Sequence, residues 1–484
     1  MGLLITELPH DILISIFLRL TIENILSLKQ TCRGLHAIGS ADYLWHRSVA
    51  DFDLPLDLPG NAVVASLSGN ELRDAVVKAL KIDRKWRDAY VYPQKASCII
   101  SRCDAFVDAL QILPGGKWLI TFQVEQSSRT TIVSLWSLDD VTHAAITFQT
   151  KFRGRIRSHH AFHDRVREEI TIAVGSRNDG YDSVRIYKVS TRVPKGPPLL
   201  APWSMVLQTQ PHELLDLGLL REVKICGDVV TVLFARFPDK GMEGETRILC
   251  FNSSTHIRAV ITGLDLFHCT SLYLLLPEHF AFVGPDQCPE LTLYDLPRSI
   301  LESSNVEDVG DFLFKMGEPR LTCHLMQYVG STTSLVLSDG PTDNSLPQFS
   351  FAIAGFPAFG RASDTHMLML RVTSRDMNAA PSFSPTYASY KLSFVNQQVR
   401  IGSSGCRAVW IEKGLDVEGH CALKKFSAAR TVCGQEVPAT TSTLMPAFSG
   451  LPFNPQDCQC LVFDEVSCRL CTSLPSGQVF TLDY

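Results

Sequence analysis

The sequence predicts a chain of two parts: a short α-helical module, then a larger all-β domain built as a β-propeller of about seven four-stranded blades. Three observations carry this. Apolar residues recur at helical spacing near the N-terminus, and that periodicity fades from Ser97 onward. From there short β-rich segments alternate with Gly, Pro, Asp and Ser turns to the C-terminus. A length of 484 residues is too much for one ordinary core unless the architecture repeats.

The helical part opens with Ile12, Leu13, Ile16, Phe17 and Leu20 on one periodic face after Pro9, a residue suited to a helix start. Thr21 is placed to cap a second helix carrying Ile25, Leu26, Leu28 and Cys32. Asp42 is placed to cap a third with Leu44, Trp45, Val49 and Phe52. Three short helices with apolar residues on more than one face need a partner surface, so a docking element is expected rather than a catalytic domain. A Pro-marked break, Leu54 to Gly60, follows. Ser68-x-x-Glu71 then forms a capping box for a linker helix with Leu72, Val76, Ala79, Leu80 and Trp86 on one face. The expected boundaries are residues 1–53 for the module, 54–95 for the linker and 96–484 for the β domain.

In the β domain a loose pattern recurs, each unit ending in an apolar or aromatic strand: Val133–Leu138, Val184–Val189, Arg247–Phe251, Leu291–Leu296, Tyr390–Phe394 and Gln478–Asp483. Four-stranded blades that bury their faces only against neighbours explain such a repeat, with six to eight blades or a pair of β-sandwiches as the range. The last unit offers three strands, Cys460–Phe463, Arg469–Thr472 and Gln478–Leu482. Ser97–Ile100 is expected to supply the fourth and close the ring without an open edge. Pro-rich stretches at 193–198, 341–347, 378–385 and 437–455, and the acidic stretch 302–311, read as surface loops.

Composition excludes several classes. Hydrophobic residues make up 45% of the chain, enough to fold, and the formal charge of −5 gives no global field for nucleic acid or membrane. No apolar run reaches membrane-spanning length, and Glu7, His10 and Asp11 interrupt any secretory signal. Met1–Thr6 fits the myristoylation pattern but also serves as a lead-in to the first helix. The 15 cysteines follow no framework spacing and read as reduced thiols. Cys458, Cys460, Cys468 and Cys471 have the donor set for zinc, but residues three apart on a strand face opposite ways, so no metal is expected. His159, His160 and His163 read as solvent-facing or hydrogen-bonded. There is no nucleophile elbow, no P-loop and no complete zincin string, so no catalytic residues and no cofactor are expected.

One charge feature stands out. Lys151-Phe152-Arg153-Gly154-Arg155-Ile156-Arg157 carries a cation at every second residue, and Arg165 and Arg167 follow. As one strand this would put the cations on a single face, with Phe152 and Ile156 behind. Guanidinium groups suit phosphate or carboxylate; a charged, soluble edge strand is the plainer alternative.

The N-terminal residues carry a resemblance. The run Leu8-Pro9-x-Asp11-Ile12-Leu13-x-x-Ile16-Phe17-x-x-Leu20, then Ile25-Leu26-x-Leu28-x-x-x-Cys32-Arg33, then Leu44-Trp45, resembles an F-box without a gap. Two positions depart from the family pattern: Thr31 stands where Val is usual and Leu35 where Trp is frequent. The resemblance implies docking to the Skp adaptor of cullin-based ubiquitin ligases through an apolar surface. By position, that surface and its support would be Leu8, Pro9, Ile12, Leu13, Ile16, Phe17, Leu20, Leu28, Cys32, Leu44 and Trp45. Leu113–Ile120 resembles the turn into the second strand of a WD-like blade, although the Trp-Asp dipeptide is missing. F-box propellers use cationic groups to read acidic or phosphorylated segments, which would give that role to Arg153, Arg155, Arg157, Arg165 and Arg167. The implied function is a non-catalytic substrate receptor in the cytoplasm or nucleus. The alternative is a scaffold that binds the adaptor without promoting ubiquitination.

Overall fold

Four helices, not three, form the N-terminal module of the computed structural model: α1 (His10–Phe17), α2 (Ile22–Lys29), α3 (Arg33–Ile38) and α4 (Asp42–Ala50). The structure describes residues 5, 8–50, 52–58, 64–101, 105–125, 127–192, 202–209, 214, 217–236, 245–264, 272–276, 278–284, 290–301, 312–325, 332–338, 349–357, 366–374, 381–389, 394–402, 404–414, 421–432, 435–445 and 450–484. Gly2 and the acidic stretch 302–311 lie outside them.

The extra break falls at Cys32, which caps α3 instead of extending α2; its sulfur accepts from Leu35 N. Thr21 caps α2 as its residue type predicts, accepting from Asn24 N at 3.3 Å. Asp42 does not cap α4. It is the first residue of that helix, and its carboxylate accepts from Gly69 N at 2.7 Å, tying the start of α4 to the start of α5 (Gly69–Trp86). The Ser68–Glu71 capping box opens α5. Leu13, Phe17, Ile25, Leu35, Ile38, Leu44 and Trp45 form one buried core with Leu72 and Val76 of α5. The linker helix is thus the partner surface that the short helices need.

Seven blades follow, their strands lettered a to d from the innermost outward. The first is Ala105–Ile112, Trp118–Glu125, Thr130–Ser137 and Ala145–Arg153. The second is Arg155–Asp164, Glu169–Asn178, Tyr181–Ser190 and Trp203–Gln208. The third is Leu219–Cys226, Val229–Arg236, Glu245–Asn252 and Arg258–Leu264. The fourth is Leu272–Leu275, His279–Val283, Glu290–Asp295 and Leu321–His324. The fifth is Thr332–Leu337, Phe349–Pro357, His366–Ser374 and Ser382–Ser389. The sixth is Phe394–Ile401, Arg407–Gly414, Cys421–Ser427 and Thr440–Thr443. The seventh takes Cys460–Asp464, Arg469–Ser473 and Val479–Asp483 from the C-terminus and Lys95–Ile100 as its d strand.

The ring therefore closes as the sequence predicts, with Lys95 opposite Asp483 and Cys98 opposite Phe480 in an antiparallel pair. This covers the edge that the last three strands would otherwise expose. Two stretches read as loops contain strands instead: Ser382–Ser389 and Thr440–Thr443 are d strands. Pro385 is tolerated there because an outermost strand has a side that needs no ladder hydrogen bond. A fifth strand, Phe312–Lys315, lies parallel to the d strand of blade 3, with Ala259 opposite Phe312. It comes from the c-to-d connection of blade 4 and has no signal in the periodic pattern.

Antiparallel blades give the propeller two distinct faces. The a–b and c–d turns lie on one; the b–c turns and the d-to-a crossings between blades lie on the other, here called the crossover face. Helix α5 docks on the a–b side of blades 6 and 7. Trp86 stacks on Phe463 at 5.4 Å and meets Tyr484 edge-on, and its Nε1 donates to Phe426 O at 2.9 Å. Asp83, 2% exposed, is ringed by Arg87 (2.9 Å), Arg430 (3.0 Å) and Arg407 (3.7 Å). Lys425 Nζ donates to the carbonyls of Trp86 and Asp88 at 2.5 Å each, and burial pulls its pKa down to about 8. The end of α5 presents carbonyls, so it suits this cationic socket.

Candidate functional site

Two surfaces carry exposed apolar or charged side chains. On the helical module, Pro9, Ile12 and Cys32 are exposed, and Leu8, Ile16, Leu20 and Leu28 are half-buried. Ile12 is 49% exposed, a large apolar side chain held in water by its helix. Leu13, Phe17, Leu44 and Trp45 do not share that surface. They are 0–4% exposed in the module's own core, where Trp45 Nε1 donates to Gly39 O at 2.9 Å. Of the eleven residues named from the resemblance, these four are buried in the module's core, Leu8, Leu20 and Leu28 pack against it while half-exposed, and Pro9, Ile12, Ile16 and Cys32 lie outside that core. Leu35, where the family often has Trp, belongs to the same core. Thr31 is exposed, and its hydroxyl donates to Leu28 O at 2.7 Å.

The second surface lies on the crossover face between blades 1 and 2. The basic run is not one strand. It ends the d strand of blade 1 at Arg153, turns at Gly154 and begins the a strand of blade 2 at Arg155. Gly154 has φ of +110°, and a Cβ there would come within 2.8 Å of Arg177 O. Only glycine fits both demands. Arg157 falls where the pairing between the a and b strands of blade 2 slips by one residue, a bulge that re-aims its side chain.

Arg155 and Arg157 line a cleft of about 820 Å³ with Arg129 and Arg177, which come from the b–c end of blades 1 and 2. Its floor is apolar, from Phe106, Val124 and Ile156. Asp108, Glu125 and Asp179 also border it. Arg155 and Arg177 are direct cross-strand partners. Two like charges opposite one another destabilise a ladder; Asp108 lies 3.9 Å from Arg155 and Asp182 lies 4.0 Å from Arg177, which also donates to Gly180 O at 3.1 Å. Arg153 is not among the lining residues; of those that are, Arg129 and Arg157 have no ion pair among the described residues. The cleft is thus suited to an anionic group that would bridge guanidiniums.

Arg165 and Arg167 are not in it. They occupy the a–b turn at the other end of the same ten-residue strand, about 30 Å away at the usual rise per residue. There Arg165 donates to Pro114 O at 3.1 Å and Arg167 pairs with Asp228 at 2.6 Å, so both stitch blade 2 to its neighbours. Of the five arginines named from the sequence, Arg155 and Arg157 line the cleft and Arg153, Arg165 and Arg167 do not. Arg129 and Arg177, absent from the sequence reading, take their place. Arg129 lies in a turn and Arg177 near the end of a strand, and without strand register no local pattern marks either.

The remaining candidates pack into the fold. His160 Nδ1 accepts from Ile225 N at 3.1 Å, and His159 lies 4.4 Å from the Phe122 ring. Burial, aided by Arg165, lowers the pKa of His163 to about 4 beside Trp118. Cys460, Cys468 and Cys471 point to different partners: Asp108 O, Glu465 O and Thr481 Oγ1. Among the described residues no group of three or more His, Cys, Asp or Glu side chains is arranged to hold a metal ion. Among those residues no helix is long and apolar enough to cross a membrane.

Comparison with known proteins bears on the helical module. A chain from a crystal structure of the Mitotic Checkpoint Complex is similar at 10% identity and a TM-score of 0.40, covering 81% of this chain and 94% of that one. Pyrococcus horikoshii acylaminoacyl peptidase is similar at 9% identity and a TM-score of 0.39, covering 76% of this chain and 48% of that one. No curated protein matches. Residues 5–50 match the F-box-like family, the same segment that forms α1 to α4. The chain thus carries an F-box-like domain at residues 5–50, followed by a seven-bladed β-propeller.

Proposed function

We propose that this chain is the substrate-recognition subunit of a Skp-cullin-F-box ubiquitin ligase. The surface around Pro9, Ile12 and Ile16 docks to the Skp-type adaptor, and through it to a cullin. The cleft on the crossover face receives a protein segment with acidic or phosphorylated character. The observation that carries the reading is the match of residues 5–50 to the F-box-like family on a module whose apolar residues remain exposed. The helical module is joined through α5 to the a–b side of the propeller, and the cleft lies on the crossover face. Such a protein needs no nucleophile of its own. Tethering makes transfer of ubiquitin to a bound substrate nearly intramolecular, and rate comes from effective concentration. Free thiols on all eleven described cysteines suit work in the cytoplasm or nucleus.

The test is reconstitution with adaptor, cullin and ubiquitin-conjugating enzyme, using partners retained by a form lacking residues 1–53 as candidate substrates. Ubiquitin transfer that depends on both the F-box-like domain and the cleft is the expected result. Adaptor binding with no transfer to any retained partner would leave a scaffold instead.

A further inference from the structure

The cleft between blades 1 and 2 has an unusual balance for a cationic site. Arg129, Arg155, Arg157 and Arg177 face Asp108, Glu125 and Asp179, so the lining carries a net excess of one positive charge only. Asp108 and Glu125 retain 23% and 32% of their side-chain exposure, enough to meet a ligand directly. Lys151 lies 3.3 Å from Glu125, leaving that carboxylate partly engaged from outside the cleft. A polyanion entering here would gain from the arginines and lose to the carboxylates at close range. Exposed charges are also screened by salt.

The floor offers the stronger handle. Val124 is 6% exposed and Phe106 and Ile156 are half-buried, so the apolar surface that an inserted side chain could cover comes from Phe106 and Ile156. In an extended segment, side chains two residues apart point the same way. One could reach the floor while its neighbour reaches the facing Arg155 and Arg177 pair.

We propose that the cleft takes an extended segment by one apolar side chain together with one carboxylate two residues away, and that it selects against polyanionic segments. The proposal rests on the reading of this cleft as the substrate-receiving site and names the segment it prefers. Asp108 and Glu125 are the selectivity residues: they repel a second anionic group without opposing the apolar anchor.

The experiment uses the full chain bound to its adaptor and fluorescently labelled peptides in a Gly/Ser background. One peptide carries Leu-x-Glu, the second Ser-x-Glu, and the third is polyglutamate of equal length. At physiological ionic strength the Leu-x-Glu peptide should bind roughly tenfold tighter than either of the others, the gain expected from burying one aliphatic side chain. Ile156→Ser should remove most of that advantage. Asp108→Asn, at a partly exposed position, also releases Arg155 from its ion partner and should strengthen polyglutamate binding several-fold. Thermal unfolding checks that each variant is folded.

Polyglutamate binding as tight as Leu-x-Glu, or no loss on Leu-to-Ser replacement in the peptide, would overturn the proposal. Partner retention by Arg155→Glu/Arg157→Glu separates the two levels. If reversal removes partners while polyglutamate wins, the cleft is the reading site and the selectivity is wrong. If reversal leaves all partners bound and no peptide binds, both readings fall.

Discussion

Asp464 and Glu465 are adjacent in the chain and hold opposite neighbours. The Asp464 carboxylate accepts from Gly115 N of blade 1 at 3.0 Å; the Glu465 carboxylate accepts from Ser404 N (2.9 Å) and Arg407 N (2.8 Å) of blade 6. Blade 7 is assembled from both ends of the β domain, so this pair clamps the ring on either side of its non-covalent seam. Burial pushes both carboxyl pKa values up, a sign of how far these groups sit from water. The stitching continues around the a–b face, from Arg165 to Pro114 O and from Arg167 to Asp228.

Removing the clamp should loosen the ring. Glu465→Ala strands two buried backbone N–H groups and leaves the Arg407 guanidinium, 0% exposed, with one fewer counter-charge. The expected cost is about 3 kcal/mol or more. Glu465→Gln keeps an acceptor and should cost less. Thermal unfolding of both variants is the check; equal transitions for wild type and Glu465→Ala would show that the clamp adds nothing.

Truncation should be worse. Deleting residues 478–484 removes the c strand of blade 7, which also carries the pairing of Lys95–Ile100. Two edges open at once, and the Arg469–Asp483 pair (2.5 Å) is lost. The product should be aggregated or cut rapidly by protease. A soluble, protease-resistant truncation with an unchanged transition would contradict the closure.

Docking and folding of the helical module should separate by residue. Ile12→Ala with Ile16→Ala trims the surface, so adaptor co-purification should fall while the unfolding transition holds. Leu13→Ala trims the core instead and should cost about 2–4 kcal/mol of the module's stability, with docking lost as a consequence. Co-purification with the adaptor and thermal unfolding, measured together, distinguish the two outcomes. Full adaptor recovery with the Ile12 and Ile16 double variant would displace the docking surface elsewhere.

Arginines should also split by face. Arg155→Glu with Arg157→Glu should abolish partner retention by the propeller, with little change in stability because both side chains are exposed. Arg165→Glu with Arg167→Glu should spare partners and lower stability by about 1 kcal/mol, since the blade contacts are partly exposed. Pull-downs paired with thermal melts check both. Loss of partners from the second pair alone would invert the assignment.

Acid should act partly through His163. Its pKa is lowered to about 4 in the fold, by burial first, against about 6.5 for an unfolded chain. Between those values the unfolded chain binds the proton and the folded chain does not. Stability from this group is therefore intact above about pH 6.5 and declines as pH falls toward 4. His163→Gln removes the titrating group, and its unfolding transition should shift less than wild type over that window. Parallel pH curves for the two proteins would refute this.

Helix content near the N-terminus, the capping box at Ser68, the β-rich remainder and the strand at Ser97–Ile100 that closes the ring were all legible in the residues. Local signals suffice for these: apolar period, cap chemistry and a missing fourth strand. The recurring apolar strands were real as well, but Val133–Leu138, Val184–Val189, Arg247–Phe251, Leu291–Leu296 and Gln478–Asp483 belong to c strands and do not end their blades. Of Tyr390–Phe394, only Phe394 lies within the described residues. The d strands at Ser382–Ser389 and Thr440–Thr443 went unread because outer strands tolerate proline and polar residues. Tertiary structure alone decided the site. Alternation along 151–157 is a local property, whereas a turn at Gly154 sends Arg153 and Arg155 into different blades. Arg177 faces Arg155 only through the register of a ladder, and Arg165 is separated from the cleft only by the length of a strand. Likewise Leu13 and Ile12 read alike in the sequence, and the packing of the module's helices against one another decides which one water reaches. Residue type and spacing set what each segment prefers; which side chains converge depends on contacts between segments far apart in the chain, and those exist only once the ring has closed.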